Sequence, residues 1–534
     1  MRIGRSLALL VFLSFPLMTR GDAPGVYAIT GGTVHPVSGA DIPNGVVIIR
    51  AGLVESVGAN VAIPADATTI DATGLHVYPG LIDAHTSLGF AAPPPRRGFG
   101  GGGGGGAAAA AQERPAEPTA DSLALRNARI SDDDASARRA VGVTTVHTAP
   151  SHGIFNGQTA VVNLGGGPLT SSVIKSPAAM QVSFNTRPTW TYPDSLMGVI
   201  SYIRQSLLDA QQHVSAREIY ERNPAGLQRP SDDPALDALG PVLRRELPVV
   251  FVADSEEMIR RAQALAAEHK LRIIVAGARQ AHALTAELKN VPTLVSVKWP
   301  AAPTDQQDRE DQPLRVIRER QLAPTTPGAL AKAGVQFALV SGSGKAGDYL
   351  PGIRKAIENG LSEADALRAT TLWPARILGV DRQLGSLERG KIANLVITDK
   401  PIFSKDAKVR RVFVDGRDLR LPADDKKPAE SAASPIDGTW NLTVRAPQGN
   451  VSINVTLRLE DGKVTGSFSG DQGSGEIRNG SFDGTALEFT ISAETQNESE
   501  SSDWNFRGTV TAESVEGTVT TTIGSWPFSG RKGA

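Results

Sequence analysis

Cysteine is absent from all 534 residues. That excludes disulfides, thiol nucleophiles, iron–sulfur clusters and cysteine-ligated zinc, so any metal would depend on His, Asp, Glu or a modified Lys. Charge of one sign is lacking too. There are 55 Lys and Arg against 56 Asp and Glu, for a net charge of −1. No basic excess points to nucleic acid or an anionic membrane, and there is no acidic tail. Aromatics make up 5% and histidine occurs eight times, so each histidine at a strand end counts. After the first 18 residues, no uninterrupted apolar run is long enough to span a bilayer.

What is present begins with MRIGRSLALLVFLSFPLMTRGDAPG. Arg2 and Arg5 precede an apolar run from Leu7 to Met18, and small residues follow. This reads as a signal peptide over 1–23, with a core too short for a membrane helix. With no cysteine after it, a lipoprotein anchor is excluded. The expectation is export, to the periplasm or the extracellular space.

The remaining 40% apolar and 21% charged content suits globular domains, and the length suits two or three. Residues 24–76 alternate apolar and polar positions around Gly and Asn-Gly punctuation, as short strands do. The same character returns at 386–421 in GKIANLVITDK and KVRRVFVDGRDL. The two halves are predicted to form one composite β-sandwich bracketing a central domain. That domain, 77–385, carries strands such as VVFVA, RIIVA and FALV alternating with helical segments, including Ser195–His213 and Ser215–Arg222. Strand–helix repetition at this pitch predicts a parallel α/β sheet, best fitted by a (β/α)8 TIM-type barrel. A doubly wound sheet is the alternative, but no Gly-rich dinucleotide turn follows a first strand. Residues 91–120 are rich in Gly, Ala and Pro and read as a loop. Residues 422–435 read as a linker, and 436–534 as a separate antiparallel, barrel-like domain of seven or eight strands. Its aromatics Trp440, Phe468, Phe482, Phe489, Trp504, Phe506 and Trp526 read as core.

The chemistry-bearing stretch is VYPGLIDAHTSLGF, residues 77–90. An apolar strand runs into Asp83-Ala84-His85, as parallel barrels present a metal ligand at a strand's carboxyl end. With LSEADALRATTLWPARILGVDRQLGSLERGKIANLVITDKPIF at 361–403, it resembles the amidohydrolase superfamily, closest to the imidazolonepropionase-like branch, across roughly 26–420. The resemblance implies a metal-dependent hydrolase of C–N bonds in small amides or small peptides. It also implies one divalent metal, zinc foremost, that activates water at the barrel's C-terminal face. A chain without catalysis would need none.

Tested position by position, the pattern is depleted. His85 matches the first ligand of His-x-His, but Ser87 replaces the second. Val252, then Ala276 and Gly277, stand where histidines are expected, and Ser341-Gly342-Ser343 stands in the aspartate's place. None of these side chains serves a divalent metal well. A relocated site is conceivable from His85, His147 and His152, with Asp83, Asp254 and Lys298 at other strand ends. No catalytic residue is assigned. A serine-hydrolase elbow is not spelled around Ser151-His152, and GSGKAG falls short of a phosphate loop. Two functional readings stand: a divergent amidohydrolase on a reduced metal site, or a non-catalytic member that binds a small amide-like ligand or supports an active paralogue. The partners expected are therefore a small molecule and a homo- or hetero-oligomer with a related chain, without nucleic acid or a membrane span.

Overall fold

The computed structural model describes residues 25–90, 119–186, 192–303, 312–342, 344–419, 421 and 436–533, apart from 447–448, 461–462, 471–472, 495–500, 512–513 and 522–523. The expected signal peptide, most of the 91–120 loop, the linker and Ser343 lie outside the described residues. The chain divides into two compact units, Met1–Pro422 and Ala423–Ala534.

In the first unit seven strands run parallel: β1 (Leu81–Thr86), β2 (Val143–Thr148), β3 (Met180–Ser183), β4 (Val249–Ala253), β5 (Ile273–Gly277), β6 (Thr293–Ser296) and β7 (Phe337–Val340). Their runs are almost wholly buried. A strand covered on both faces has no reason to alternate, which is why VVFVA and FALV are continuously apolar. A parallel bridge from Thr86 to Gly342 joins β1 to the end of β7.

Between β2 and β3 the sheet departs from eight parallel staves. The segment Phe155–Asn163 runs antiparallel: Phe155–Gln158 pairs with β3, and Ala160–Asn163 pairs with β2. One antiparallel stave thus stands where the repeat predicts a parallel one. The cause is local, because the chain between β2 and β3 contains no crossover helix and can only double back. Inside lies a layer containing Ile82, Ala84, Val250, Ile274, Ala276, Leu294, Ala338 and Val340. A larger apolar cluster joins the other strand face to the helices.

The helices carry legible start signals. Ser255 caps Glu256–Glu268 by accepting from the Met258 amide at 3.3 Å, and Glu256 and Glu257 fill the first turn. Ser195 caps a single helix of 27 residues, Leu196–Arg222. The periodicity had suggested two segments there, but no breaking residue lies between His213 and Ser215.

Strands from both ends of this unit form one hydrogen-bonded sheet. Leu395–Thr398 pairs antiparallel with His76–Pro79 and with Val409–Val414. Tyr27–Val34 pairs with Ile42–Arg50 on one side, and on the other with Thr68–Asp71 and then His76–Pro79. The hydrogen bonds thus make one branched sheet, and a single apolar cluster takes in both ends, among them Ile29, Val47, Leu395 and Phe413.

The second unit is an antiparallel barrel in which eight strands close. The circuit runs from Gly449–Glu460 through Gly438–Ala446 and Gly524–Lys532, and returns by way of Lys463–Gly470. Trp440, Phe489, Phe506 and Phe528 are buried in its centre, with Phe489 and Phe506 stacked at 4.8 Å. Asp483-Gly484 makes a tight turn, the Asp483 carboxylate accepting from the amides of Thr485 and Ala486. Asn479-Gly480 sits within a strand, at a register shift.

Candidate ligand site at the barrel mouth

β1 delivers two ionisable groups in different ways. Its register against β2 shifts twice, between Leu81 and Ile82 and between Asp83 and Thr86. Such bulges re-aim side chains. Asp83 is fully buried with Arg138, from the Asp132–Ala140 helix, whose Nη1 lies 3.6 Å away. The Ser341 amide donates to Asp83 Oδ1 at 3.0 Å, and the Ser341 hydroxyl donates to Oδ2. Burial pushes the Asp83 carboxyl above its ordinary value, while Arg138 and Ser341 pull it down. Asp83 is thus enclosed by structural partners. In the place expected for a catalytic aspartate, Ser341 acts as a clamp on it.

His85 reaches across the barrel to β3. Its Nε2 lies 2.9 Å from Gln181 Oε1, and Gln181 Nε2 donates to the Pro150 carbonyl at 2.6 Å. With the amide fixed in that sense, Oε1 must accept. His85 therefore carries its proton on Nε2 and keeps one lone pair, on Nδ1. Burial lowers its pKa, and the hydrogen bond to Gln181 opposes that shift, with Asp83 and Asp254 adding smaller opposition.

His147 is committed at both nitrogens. Nδ1 donates to the Ala84 carbonyl at 2.7 Å, and Nε2 lies 2.6 Å from the Thr159 hydroxyl. Its pKa falls to about 3 because burial disfavours the cation, partly offset by the Ala84 bond. His152 is exposed in the loop after β2, and Lys298 is exposed beyond β6. The relocated trio of His85, His147 and His152 is therefore not assembled: one ring is saturated with hydrogen bonds and another points to solvent.

Asp254 follows β4 and pairs with Arg279 at 3.1 Å. Gly277, at the end of β5, has φ +94°, and a Cβ built there would stand 2.4 Å from Asp254 Oδ1. The Asp254 carboxylate thus takes the space that a ligand side chain at 277 would need.

Among the described residues, no group of three or more His, Asp or Glu is placed to hold a metal ion. The chemistry of the donors agrees, since His85 offers one lone pair, His147 none, and Val252, Ala276, Gly277 and Gly342 have no donor atom. These residues do not fit a divalent metal, and no step is derived through one. What they do form is a polar mouth with a hydrogen-bond acceptor at His85 and a guanidinium–carboxylate pair at Asp254 and Arg279. Gln181, Arg279 and Arg138 were not singled out in the sequence. A polar residue inside the short apolar run MQVS was the available sign for Gln181; long-range partnering hid the two arginines.

The first unit is thus a largely parallel barrel flanked by a sheet drawn from both of its ends, with His85 at the carboxyl end of the first barrel strand. The model of the amidohydrolase family matches residues 311–419. The fold is similar to that of an amidohydrolase from Thermotoga maritima MSB8, at a TM-score of 0.63 and 24% identity, covering 74% of this chain and 100% of that one. N-acetylglucosamine-6-phosphate deacetylase of Haemophilus influenzae is 43% identical over 54 residues, which is 10% of this chain and 13% of that enzyme. The chain thus spans about an eighth of that curated relative. Residues 311–419 thus match the amidohydrolase family, and the likeness to the Thermotoga structure is one of fold.

Proposed function

We propose that this protein binds a small amide-like ligand at its barrel mouth and does not carry out metal-assisted hydrolysis. The observation that carries this reading is the coupled exchange at β4 and β5. Gly277 has no side chain, and the Asp254 carboxylate, held by Arg279, lies where one would project. Restoring a ligand at 277 would require moving Asp254 as well as adding an imidazole. His85 Nδ1 and the Arg279 guanidinium supply an acceptor and donors suited to an amide or carboxylate group. The amidohydrolase match over residues 311–419 supports the ligand class, and the short deacetylase match makes an N-acetylated amino sugar one sensible probe.

The test combines metal analysis with binding. After incubation with zinc, manganese or iron(II) and gel filtration, the protein is expected to retain well below one metal per chain. A thermal-shift screen of small amides and N-acyl compounds should find stabilising ligands that survive chelator and are lost in Arg279→Ala. Stoichiometric metal that disappears in His85→Ala, together with amide turnover, would overturn the proposal in favour of a reduced metal site.

Export to the periplasm or extracellular space is proposed on the cationic start and apolar run of residues 1–23. N-terminal sequencing of protein recovered outside the cytoplasm should begin near residue 24, and a retained Met1 would refute it.

A further inference from the structure

The Leu196–Arg222 helix buries one face through Val199, Ile203, Leu207 and Ala210. Its opposite face is not plainly polar. Met197, Leu208 and Ile219 are 79%, 51% and 55% exposed. They are spaced eleven residues apart, about three helical turns, so they align in one stripe with a drift of about 20° per interval. Three large apolar side chains in register on the outermost face of one helix need a partner more than scattered ones do.

The stripe is symmetric about Leu208. Counting outward from Leu208, Gln205 and Gln211 stand three residues away, Ser201 and Ser215 seven, Met197 and Ile219 eleven, and Asp194 and Arg222 fourteen. Asp194 and Arg222 are exposed. A second copy laid antiparallel across the helix, with a two-fold axis at Leu208, sets Leu208 against itself and Met197 against Ile219. It also brings the helix's N-terminal end, where Asp194 stands just ahead of the Ser195 cap, to the partner's C-terminal end at Arg222. The remaining charges fall opposite uncharged residues: Arg204 opposite Gln212, Asp209 opposite Leu207, Arg217 opposite Val199, Glu218 opposite Gly198, and Glu221 opposite Ser195. Beside Met197 a groove of about 330 Å³ is lined by Leu196, Ile200, Ala264 and Leu265 among others. It can receive Ile219 of the second copy.

We propose that this helix is the two-fold interface of a homodimer, with Leu208 on the axis. A helix of this length spans about 40 Å, and helix pairs approach to about 10 Å, so the pair would cover roughly 800 Å² in total. That lies below the ~1,200–2,000 Å² of standard stable interfaces. The dimer is therefore weak and concentration-dependent.

Sedimentation of the full-length mature protein across a hundredfold concentration range should show monomer passing to dimer. Leu208→Asp sets two carboxylates face to face on the axis and should weaken dimerisation at least tenfold. Leu208 is half exposed, so the fold should survive, as an unchanged far-UV spectrum would verify. Asp194→Arg and Arg222→Asp should each weaken association, and the double exchange should restore it. Because the chain has no cysteine, Leu208→Cys alone should cross-link to itself on oxidation, and Met197→Cys should do so only when combined with Ile219→Cys. A strict monomer at every concentration, a dimer indifferent to Leu208→Asp, or a dimer in which Cys at 208 fails to cross-link would each overturn the proposal. The last two would place the interface on another face.

Discussion

Asp83 and Arg138 show how much one residue can carry. Both are buried, and each is the other's main counter-charge. Removing one partner of such a pair leaves an uncompensated charge in a site of low polarity. Arg138→Met is expected to destabilise the first unit by about 3–5 kcal/mol in urea titration, and Asp83→Asn in the same chain should recover part of that. His147 gives a pH signature. Its folded pKa of about 3 lies below the ordinary 6.5, so the unfolded chain binds more protons between those values. Stability should therefore be complete above about pH 7.5 and fall as pH drops through 6.5 toward 3. Between pH 7.5 and 4.5 His147 should account for a loss of about 2–3 kcal/mol. His147→Asn should flatten that slope, and an equal slope in both proteins would refute the assignment. At this scale the sequence told half the story. It marked His85 and the depleted ligand positions, because those are questions of residue type at a strand end. It could not tell that Ser341 serves Asp83, or that His147 is saturated, because those contacts join residues 258 and 63 positions apart.

Among the elements, the parallel strands and the helix caps were readable because their signals are local: continuous β-branched runs, and Ser before an amphipathic stretch. The reversal at Phe155–Asn163 was not, since an antiparallel stave and a parallel one have the same composition once both faces are covered. The sheet made from both ends offers a sharp test. Gly416 has φ +71°, and a Cβ there would stand 2.5 Å from the Cα of Gly52. The two turns touch backbone to backbone, and Ala393 bridges them, donating to Gly52 O at 2.9 Å and accepting from the Gly416 amide at 3.1 Å. Gly416→Ala is expected to cost about 1–3 kcal/mol in the first unit's unfolding transition, from left-handed strain and the clash together. Gly74→Ala, with a similar φ but open space around its Cβ, should cost less.

For the whole molecule, two units with separate cores imply two unfolding transitions. The eight closing strands of the second unit leave no unpaired edge in that circuit, so residues 436–534 expressed alone should be monomeric, β-rich by circular dichroism and cooperative in melting. A non-cooperative melt would mean that the barrel depends on the rest of the chain.

The pairing of Tyr78 with Val396 also has a consequence in time. The two residues are separated by about 320 positions, and a ribosome adds about 5–20 residues per second. For tens of seconds the His76–Pro79 strand exists without the neighbour that covers it, while its other partner, Tyr27–Val34, is already made. An apolar strand edge waiting that long is a template for other chains, and closing so large a loop is slow even after synthesis ends. A chain stopped before Leu395 should therefore collect in the insoluble fraction, whereas one extending through Leu421 should not.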